Sequence, residues 1–369
     1  MKYFILSLLT AGMLIGCKST SSDLPEIILP LNAPEIQVKV SDLADNVRLV
    51  PLETNDSSLL PGGFNILISK DYILALSQDE IQQFDRQGKH IRRLATKGRG
   101  PEEYQTYYSA FIDEPNELLY LSEWDSNLSS YNLHNGAFAG RKTMPFPIGQ
   151  ILEIRDDTLL CQVRAYPRDT TKYSLCLMTL KGEILDGLPH RHIARDFDGI
   201  PCYKLPDGTI RLLSDGLDTL YTVRQFQKSP YVTIKCTEND DPKFSLIIIP
   251  YFENSRWHLI NVRPMYLEKD QKGKVKFATL KDVHCFLVDK RENTGKHIEE
   301  LYVDTLGISI PLNGFSISEY FTFPITASVI KEIAEKQLEK DSISPALQVL
   351  YDNTKEEDNP ILLIGACKP

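Results

Sequence analysis

The feature that most constrains this 369-residue chain is a recurring sequence unit. A polar turn, an apolar residue, spacers and an aromatic anchor occur in Asp79-Glu80-Ile81-Gln82-Gln83-Phe84-Asp85, again in Asn127-Leu128-Ser129-Ser130-Tyr131-Asn132, and again in Asp218-Thr219-Leu220-Tyr221. Weaker echoes fall at Leu177 and Phe286. A spacing of roughly 45 residues in β-rich sequence is the signature of propeller blades. The longer gap before Phe286 holds Lys269-Asp270-Gln271-Lys272-Gly273-Lys274, which reads as an insertion. Between the anchors, short apolar runs at 64–68, 72–76, 118–121 and 210–213 are bounded by Gly, Asp, Asn and Pro, the pattern of short antiparallel strands. Each anchor leads into a turn and a further strand, as at Arg86-Gln87-Gly88-Lys89, Asn135-Gly136 and Lys181-Gly182. That makes four strands per period. The expectation is an all-β fold, a six-bladed β-propeller of four-stranded antiparallel blades.

The sixth blade draws on both ends of the chain. Val47-Arg48-Leu49-Val50-Pro51-Leu52 is expected to pair with Ile361-Leu362-Leu363-Ile364, leaving no sheet edge open. Helical periodicity is confined to about 326–352, a short insertion in this last blade. Ile330, Ile333, Ala334 and Leu338 share one face, opposite Lys331, Glu332, Glu335, Lys336 and Glu339. Ser344-Pro345 then supplies an N-cap with Pro at N1 for a second short helix carrying Leu347, Leu350 and Tyr351. The helical pair reads as a cover over one face.

Several of these segments together carry a resemblance. Val47-Arg48-Leu49-Val50-Pro51-Leu52-Glu53-Thr54, Phe84-Asp85-Arg86-Gln87-Gly88-Lys89, Lys97-Gly98-Arg99-Gly100-Pro101-Glu102-Glu103-Tyr104 and Asp358-Asn359-Pro360-Ile361-Leu362-Leu363 resemble, in order, a largely uncharacterised family of exported bacterial six-bladed propeller lipoproteins. That family is itself similar to NHL-repeat propellers. The resemblance implies a fold and a cellular address, and leaves the ligand open.

The N-terminus agrees with that address. Lys2 precedes an apolar run from Phe4 to Ile15, too short to remain as a spanning helix and suited to a secretory leader. Leu14-Ile15-Gly16-Cys17 resembles the lipobox of bacterial lipoproteins, which implies cleavage before Cys17 and acylation of that residue. The expected organisation is a signal peptide at 1–16, a lipidated N-terminus and tether at 17–44, and the propeller at 45–369. Lipid would then hold the protein on a membrane that it does not span. Lys18 gives no inner-membrane retention signal, so an outer-membrane address in the cell envelope is expected.

Local marks of chemistry are sparse. The formal charge of -9 and the pI near 5.4, without a cluster of Lys or Arg, exclude nucleic acid as partner. Cys161, Cys176, Cys202, Cys236, Cys285 and Cys367 show no CxxC or zinc-like spacing. Cys161 and Cys176 flank Pro167-Arg168-Asp169 symmetrically, so a hairpin turning there sets them opposite each other, as a disulfide or as two small buried hydrophobes. His190 and His192 would point to one side of a strand and are the weak metal candidates, with Asp196 or Asp198 to complete them. The loop 97–104 lacks the spacing of a phosphate loop, and its glycines suit a tight inter-blade crossing. If a ligand binds near the axis, Arg99, Glu103 and Tyr104 are the candidates for the rim. Trp257-His258 and Tyr107-Tyr108 could stack a sugar or peptide, or pack within blades. No cofactor is predicted, although a channel site has room for a divalent metal.

The sequence therefore points first to a lipid-anchored, non-catalytic module binding a small molecule, glycan or protein. The alternatives are an NHL-like metal-dependent hydrolase or lyase with its site in the central channel, and a structural subunit of an outer-membrane complex. Side chains of Asp, Glu, Asn or His meeting on the axis would favour the enzyme, and an aromatic mouth would favour binding.

Overall fold

The structure, a computed structural model, describes residues 24–164, 172–189, 202–205, 207–213, 218–237, 244–269, 275–280, 282–312, 316–317 and 320–368. Cys17, His190 and His192 lie outside these residues.

The chain enters as β1 (Glu26–Pro30), β2 (Ile36–Lys39), a single turn α1 (Val40–Leu43) and β3 (Ala44–Pro51). Blade 1 follows as β4 (Asn65–Ile68), β5 (Tyr72–Leu76), β6 (Glu80–Asp85) and β7 (His90–Thr96), and blade 2 as β8 (Tyr107–Asp113), β9 (Leu118–Glu123), β10 (Asn127–Asn132) and β11 (Phe138–Thr143). Blade 3 is β12 (Ile148–Arg155), β13 (Thr158–Val163), β14 (Tyr173–Thr179) and β15 (Ile184–Pro189), and blade 4 is β16 (Cys202–Lys204), β17 (Ile210–Leu213), β18 (Thr219–Arg224) and β19 (Gln227–Thr237). Blade 5 is larger, with β20 (Phe244–Glu253), β21 (Trp257–Lys269), β22 (Val275–Leu280), β23 (His284–Asp289), β24 (Gly295–Val303) and β25 (Ile308–Pro311). Blade 6 is β26 (Ser316–Ile317), β27 (Tyr320–Ile325), α2 (Ala327–Leu338), α3 (Pro345–Asn353) and β28 (Ile361–Cys367), completed by β3.

Within each blade the strands pair antiparallel in chain order. First strands of neighbouring blades pack on one another, β8 with β12 and β16 with β20, so they surround the axis and the fourth strands form the outer rim. The repeat anchors Phe84, Tyr131, Leu177, Tyr221 and Phe286 all fall on the third strand of their blades, β6, β10, β14, β18 and β23. Residues 270–274 of the expected insertion lie outside the described residues, and on either side of them β21 runs on beyond its partner β23 to pair with β22.

Burial explains why the sheets form a ring. Apolar side chains gather into six clusters, and each is the seam between two successive blades. Leu74, Leu76 and Ile81 of blade 1 meet Leu119, Leu121 and Tyr131 of blade 2. At the last seam Val50, Leu362 and Ile364 of blade 6 meet Ile66, Ile73 and Phe84 of blade 1. A four-stranded sheet cannot hide both of its faces alone, and a closed ring hides them all.

Closure rests on β3 and β28, which pair antiparallel from Pro51 opposite Ile361 to Ala44 opposite Cys367. Beside them Asn359, only 4% exposed, acts as a clasp. Its Nδ2 donates to the carbonyls of Glu53 and Ser58, both at 2.8 Å, and its Oδ1 accepts from the Leu60 amide at 2.8 Å. The turn of blade 1 at Gly88 is latched to the same segment. Gly88 sits at φ +87°, and a Cβ there would lie 2.1 Å from the Pro51 carbonyl oxygen, so only glycine fits. Its own carbonyl accepts from the Glu53 amide at 2.8 Å.

The N-terminal stretch differs from the expected tether at 17–44. β1 pairs parallel with β19 as a fifth strand on blade 4, and β2 pairs parallel with β24 on blade 5. Residues 26–51 thus form a strap across the rims of blades 4, 5 and 6. The physical reason is burial, since Ile27 and Leu29 are enclosed with Val232, Ile234 and Phe286. The helical pair is where the sequence placed it. Ser344 caps α3 by accepting from the Leu347 amide, and Ile330, Ala334 and Leu347 join the core between blades 5 and 6. Cys161 and Cys176 stand directly opposite in register, as free and fully buried thiols. Burial pushes the Cys176 thiol up to about 11.

The clasp yields a stability prediction. Asn359→Ala leaves the buried Ser58 carbonyl and the partly buried Leu60 amide unmatched, while the Glu53 carbonyl keeps its bond from the Ser58 hydroxyl, and should lower unfolding free energy by about 1–3 kcal/mol. Urea denaturation measures this, and a midpoint equal to wild type would contradict the role of Asn359.

Candidate binding face at the channel mouth

First strands all run from the same end of the disk, and second strands return to it. Tyr108 stands near the start of β8, Trp124 follows the end of β9, and Arg164 follows the end of β13. These three residues therefore meet at one end of the channel, on blades 2 and 3. The Tyr108 and Trp124 rings lie 5.1 Å apart at 38°. The Arg164 guanidinium carbon is 3.8 Å from the Tyr108 ring centre and 5.5 Å from that of Trp124. Arg164 is buried, Tyr108 is half-buried, and Trp124 is 52% exposed.

The residue before Trp124 is held by polar contacts. The buried Glu123 carboxylate accepts from the Gln105 amide at 3.0 Å, from Arg141 Nε at 3.2 Å and from the Ser129 hydroxyl. The Trp124 amide donates to the Thr106 carbonyl at 2.9 Å. An aromatic pair carrying a guanidinium can stack on the apolar face of a sugar ring or on a planar peptide group. The helices of blade 6 and the β21–β22 hairpin also follow second strands and so arise at this same end.

The residues expected at the rim divide. Tyr104 is fully buried, with its hydroxyl 3.4 Å from the Ser77 carbonyl and its ring edge-on to Tyr107, so its side chain is enclosed. Burial, reinforced by neighbouring Tyr107 and Tyr131, drives its pKa far above the usual tyrosine range. Glu103 is turned into its own loop, where its carboxylate accepts from the Gly100 amide at 2.7 Å. A Cβ on Gly98 would lie 1.8 Å from that carboxylate, so the glycine makes room for the turn, as expected of an inter-blade crossing. Glu103 also borders an open cleft of about 300 Å³ with Arg93, Glu102, Tyr131 and Phe138. This cleft lies among third and fourth strands, away from the axis. Arg99 remains exposed.

Of the aromatic pairs singled out in the sequence, Tyr107, Trp257 and His258 are buried within the blades and only Tyr108 reaches the mouth. Trp124 escaped notice. Its signal is a large aromatic inside the turn Glu123-Trp124-Asp125-Ser126, a position that small and polar residues ordinarily fill.

A second polar constellation lies in the seam between blades 4 and 5. Arg211 donates to Glu253 through Nε at 2.7 Å and Nη2 at 2.8 Å, and Lys290 Nζ donates at 2.6 Å. The Tyr203 hydroxyl adds a bond at 3.2 Å, and Arg211 lies over the Tyr231 ring at 3.7 Å. Burial alone would raise the Glu253 carboxyl, but the bonds from Arg211, with the charges of His258 and Lys290 nearby, outweigh it and hold the group at about 2. His258, 3.8 Å from Glu253, is lowered by burial to about 4, only partly offset by the carboxylate. With every acceptor engaged, this cluster fixes the seam.

Its titration sets a pH prediction. The unfolded chain protonates His258 near 6.5 while the folded chain resists until about 4, so stability falls as pH drops through that window. Glu253, ordinarily near 4.5 and held at about 2, adds a further loss as pH falls between those values. A scan of melting temperature against pH should show both declines, and His258→Gln should shallow the first. An unchanged slope in that variant would refute the assignment.

Among the described residues no helix is long and apolar enough to cross a membrane. No curated protein matches the chain. Among solved structures, one similar to it is a protein of Bacteroides fragilis NCTC 9343 named "putative exported protein", with 17% identity and a TM-score of 0.63 over 93% of this chain and 99% of that one. Another is a member of the duf4221 family from Bacteroides vulgatus, with 11% identity and a TM-score of 0.48 over 88% of this chain and 97% of that one. The first of these likenesses agrees with the propeller fold derived above. A family model described as a domain of unknown function, DUF4934, matches residues 26–366, and the chain belongs to that family.

Proposed function

We propose that this chain is a lipid-anchored propeller of the bacterial cell envelope that binds a ligand or partner without transforming it. The observation that carries the binding reading is the Tyr108, Trp124 and Arg164 face, where an aromatic pair with one ring half open to solvent holds a buried guanidinium at the channel mouth. A Trp half open to solvent and packed on a Tyr and an Arg offers a ready stacking surface. The chemistry suits a glycan or a peptide with a flat apolar face, held from one side by stacking and oriented by the guanidinium.

The anchoring reading is supported by the tetrapeptide Leu14-Ile15-Gly16-Cys17, and the name of the Bacteroides fragilis relative is consistent with export. Acylation at Cys17 would put the lipid nine residues before β1 in the chain, so the anchor would lead into the strand that joins blade 4.

Two experiments test these readings separately. Glycan and peptide panels screened with the purified chain should give a ligand whose affinity falls about tenfold in Trp124→Ala and in Tyr108→Ala. Both variants should melt close to wild type, and undiminished affinity in both would remove the face from the binding role. For the anchor, Cys17→Ala should release the protein from the membrane fraction. Retention there with acylation lost, verified by mass spectrometry, would overturn lipid attachment.

A further inference from the structure

Where the N-terminal strap crosses blade 5, three side chains from distant parts of the sequence converge. His284 opens β23, and His297 lies on β24 opposite Phe286, so the two histidines are diagonal neighbours on one face of the sheet. His284 Nδ1 and His297 Nε2 are 3.1 Å apart. Glu35 immediately precedes β2, which runs parallel to β24 with Ile36 opposite Ile298, and its carboxylate is 3.5 Å from His297 Nδ1. One ligand atom from each residue can be chosen so that all lie within 4.8 Å of one another.

The surroundings hold the central ring in place. His297 is 5% exposed, stacks on Phe286 with centroids 5.0 Å apart at 22°, and is hydrogen-bonded to the Ala33 backbone. A histidine whose Nδ1 side is bonded to protein oxygen presents Nε2 as a lone pair in a fixed direction, here toward His284. Two imidazole nitrogens and one carboxylate form a donor set for Zn²⁺ and similar transition metals, whereas Ca²⁺ and Mg²⁺ take oxygen shells. Zinc bonds of about 2.0–2.1 Å require donor atoms about 3.3 Å apart, which the two imidazole nitrogens nearly satisfy, and the site closes when the half-exposed Glu35 carboxylate swings from the Nδ1 edge of His297 to its Nε2 edge.

From this convergence we infer a transition-metal site of the zinc class, formed by Glu35, His284 and His297, with a fourth position for water. The metal fastens the strap to blade 5, because Glu35 belongs to the strap and both histidines belong to the blade. The site is distinct from the aromatic face, and from His190 and His192.

Isothermal titration of ZnCl₂ into the EDTA-stripped full chain in detergent tests the inference. One equivalent should bind, and His284→Ala and Glu35→Gln should each weaken it at least tenfold. The double variant His190→Ala, His192→Ala should titrate like wild type. Hydrogen exchange should slow at residues 33–39 on adding zinc, and less so in Glu35→Gln. Glu35 is partly exposed and its variant alters no packing, so misfolding does not obscure the result. The inference is overturned if zinc does not bind, if both single variants bind as wild type, or if binding follows the His190 and His192 pair instead.

Discussion

Everything in this molecule depends on the join between its two ends. Pairing of β3 with β28 converts a row of six sheets into a ring, and without it Val50, Leu362 and Ile364 would have no blade 1 to bury against. The join is reinforced by contacts that are individually ordinary. Arg48 donates to the Arg86 carbonyl at 2.7 Å, the Glu53 carboxylate accepts from the His90 amide at 2.8 Å, and Asn359 holds three backbone groups at once. No covalent bond is needed, because opening the ring exposes two apolar faces together.

The seams between blades are not all alike. Most are apolar, but that between blades 4 and 5 encloses Glu253 with Arg211 and Lys290. A buried ion pair is a poor source of net stability, since desolvation offsets most of its attraction. Its value here is directional. Two parallel bonds from one guanidinium allow a single alignment of β17 against the end of β20, which interchangeable aliphatic side chains do not impose.

What could be read from the sequence follows the same division. Repeats, turns and helix caps are local, so the third-strand anchors, the closure strands and the Ser344 cap were all legible. The segments that suggested a family, around Val47, Phe84 and Asn359, prove to be the parts that meet at the closing seam, so their shared spelling reflects architecture. The strap was not legible, because parallel pairing of Glu26 with Thr233 has no local turn to announce it. Nor were the sites. Tyr108, Trp124 and Arg164 come from three strands of two blades, and Glu35, His284 and His297 from three separate stretches, brought together only by the ring. In loop 97–104 the sequence does not show how its side chains divide: Glu103 holds the turn, Tyr104 is buried against Ser77, and Arg99 stays exposed.

The strap also dictates an order of events. β1, β2 and β3 are the first described strands to be synthesised, yet their partners β19, β24 and β28 all lie in the second half of the chain, and the last of them ends at Cys367. Contacts so distant in sequence form slowly, because a long loop must close before they return any free energy. A nascent chain thus holds β1 and β2 unpaired until blades 4 and 5 have been made, and β3 until almost the whole chain has been made. The ring can therefore close only once synthesis is essentially complete, so the fold is settled by the full-length chain and not blade by blade from its N-terminus.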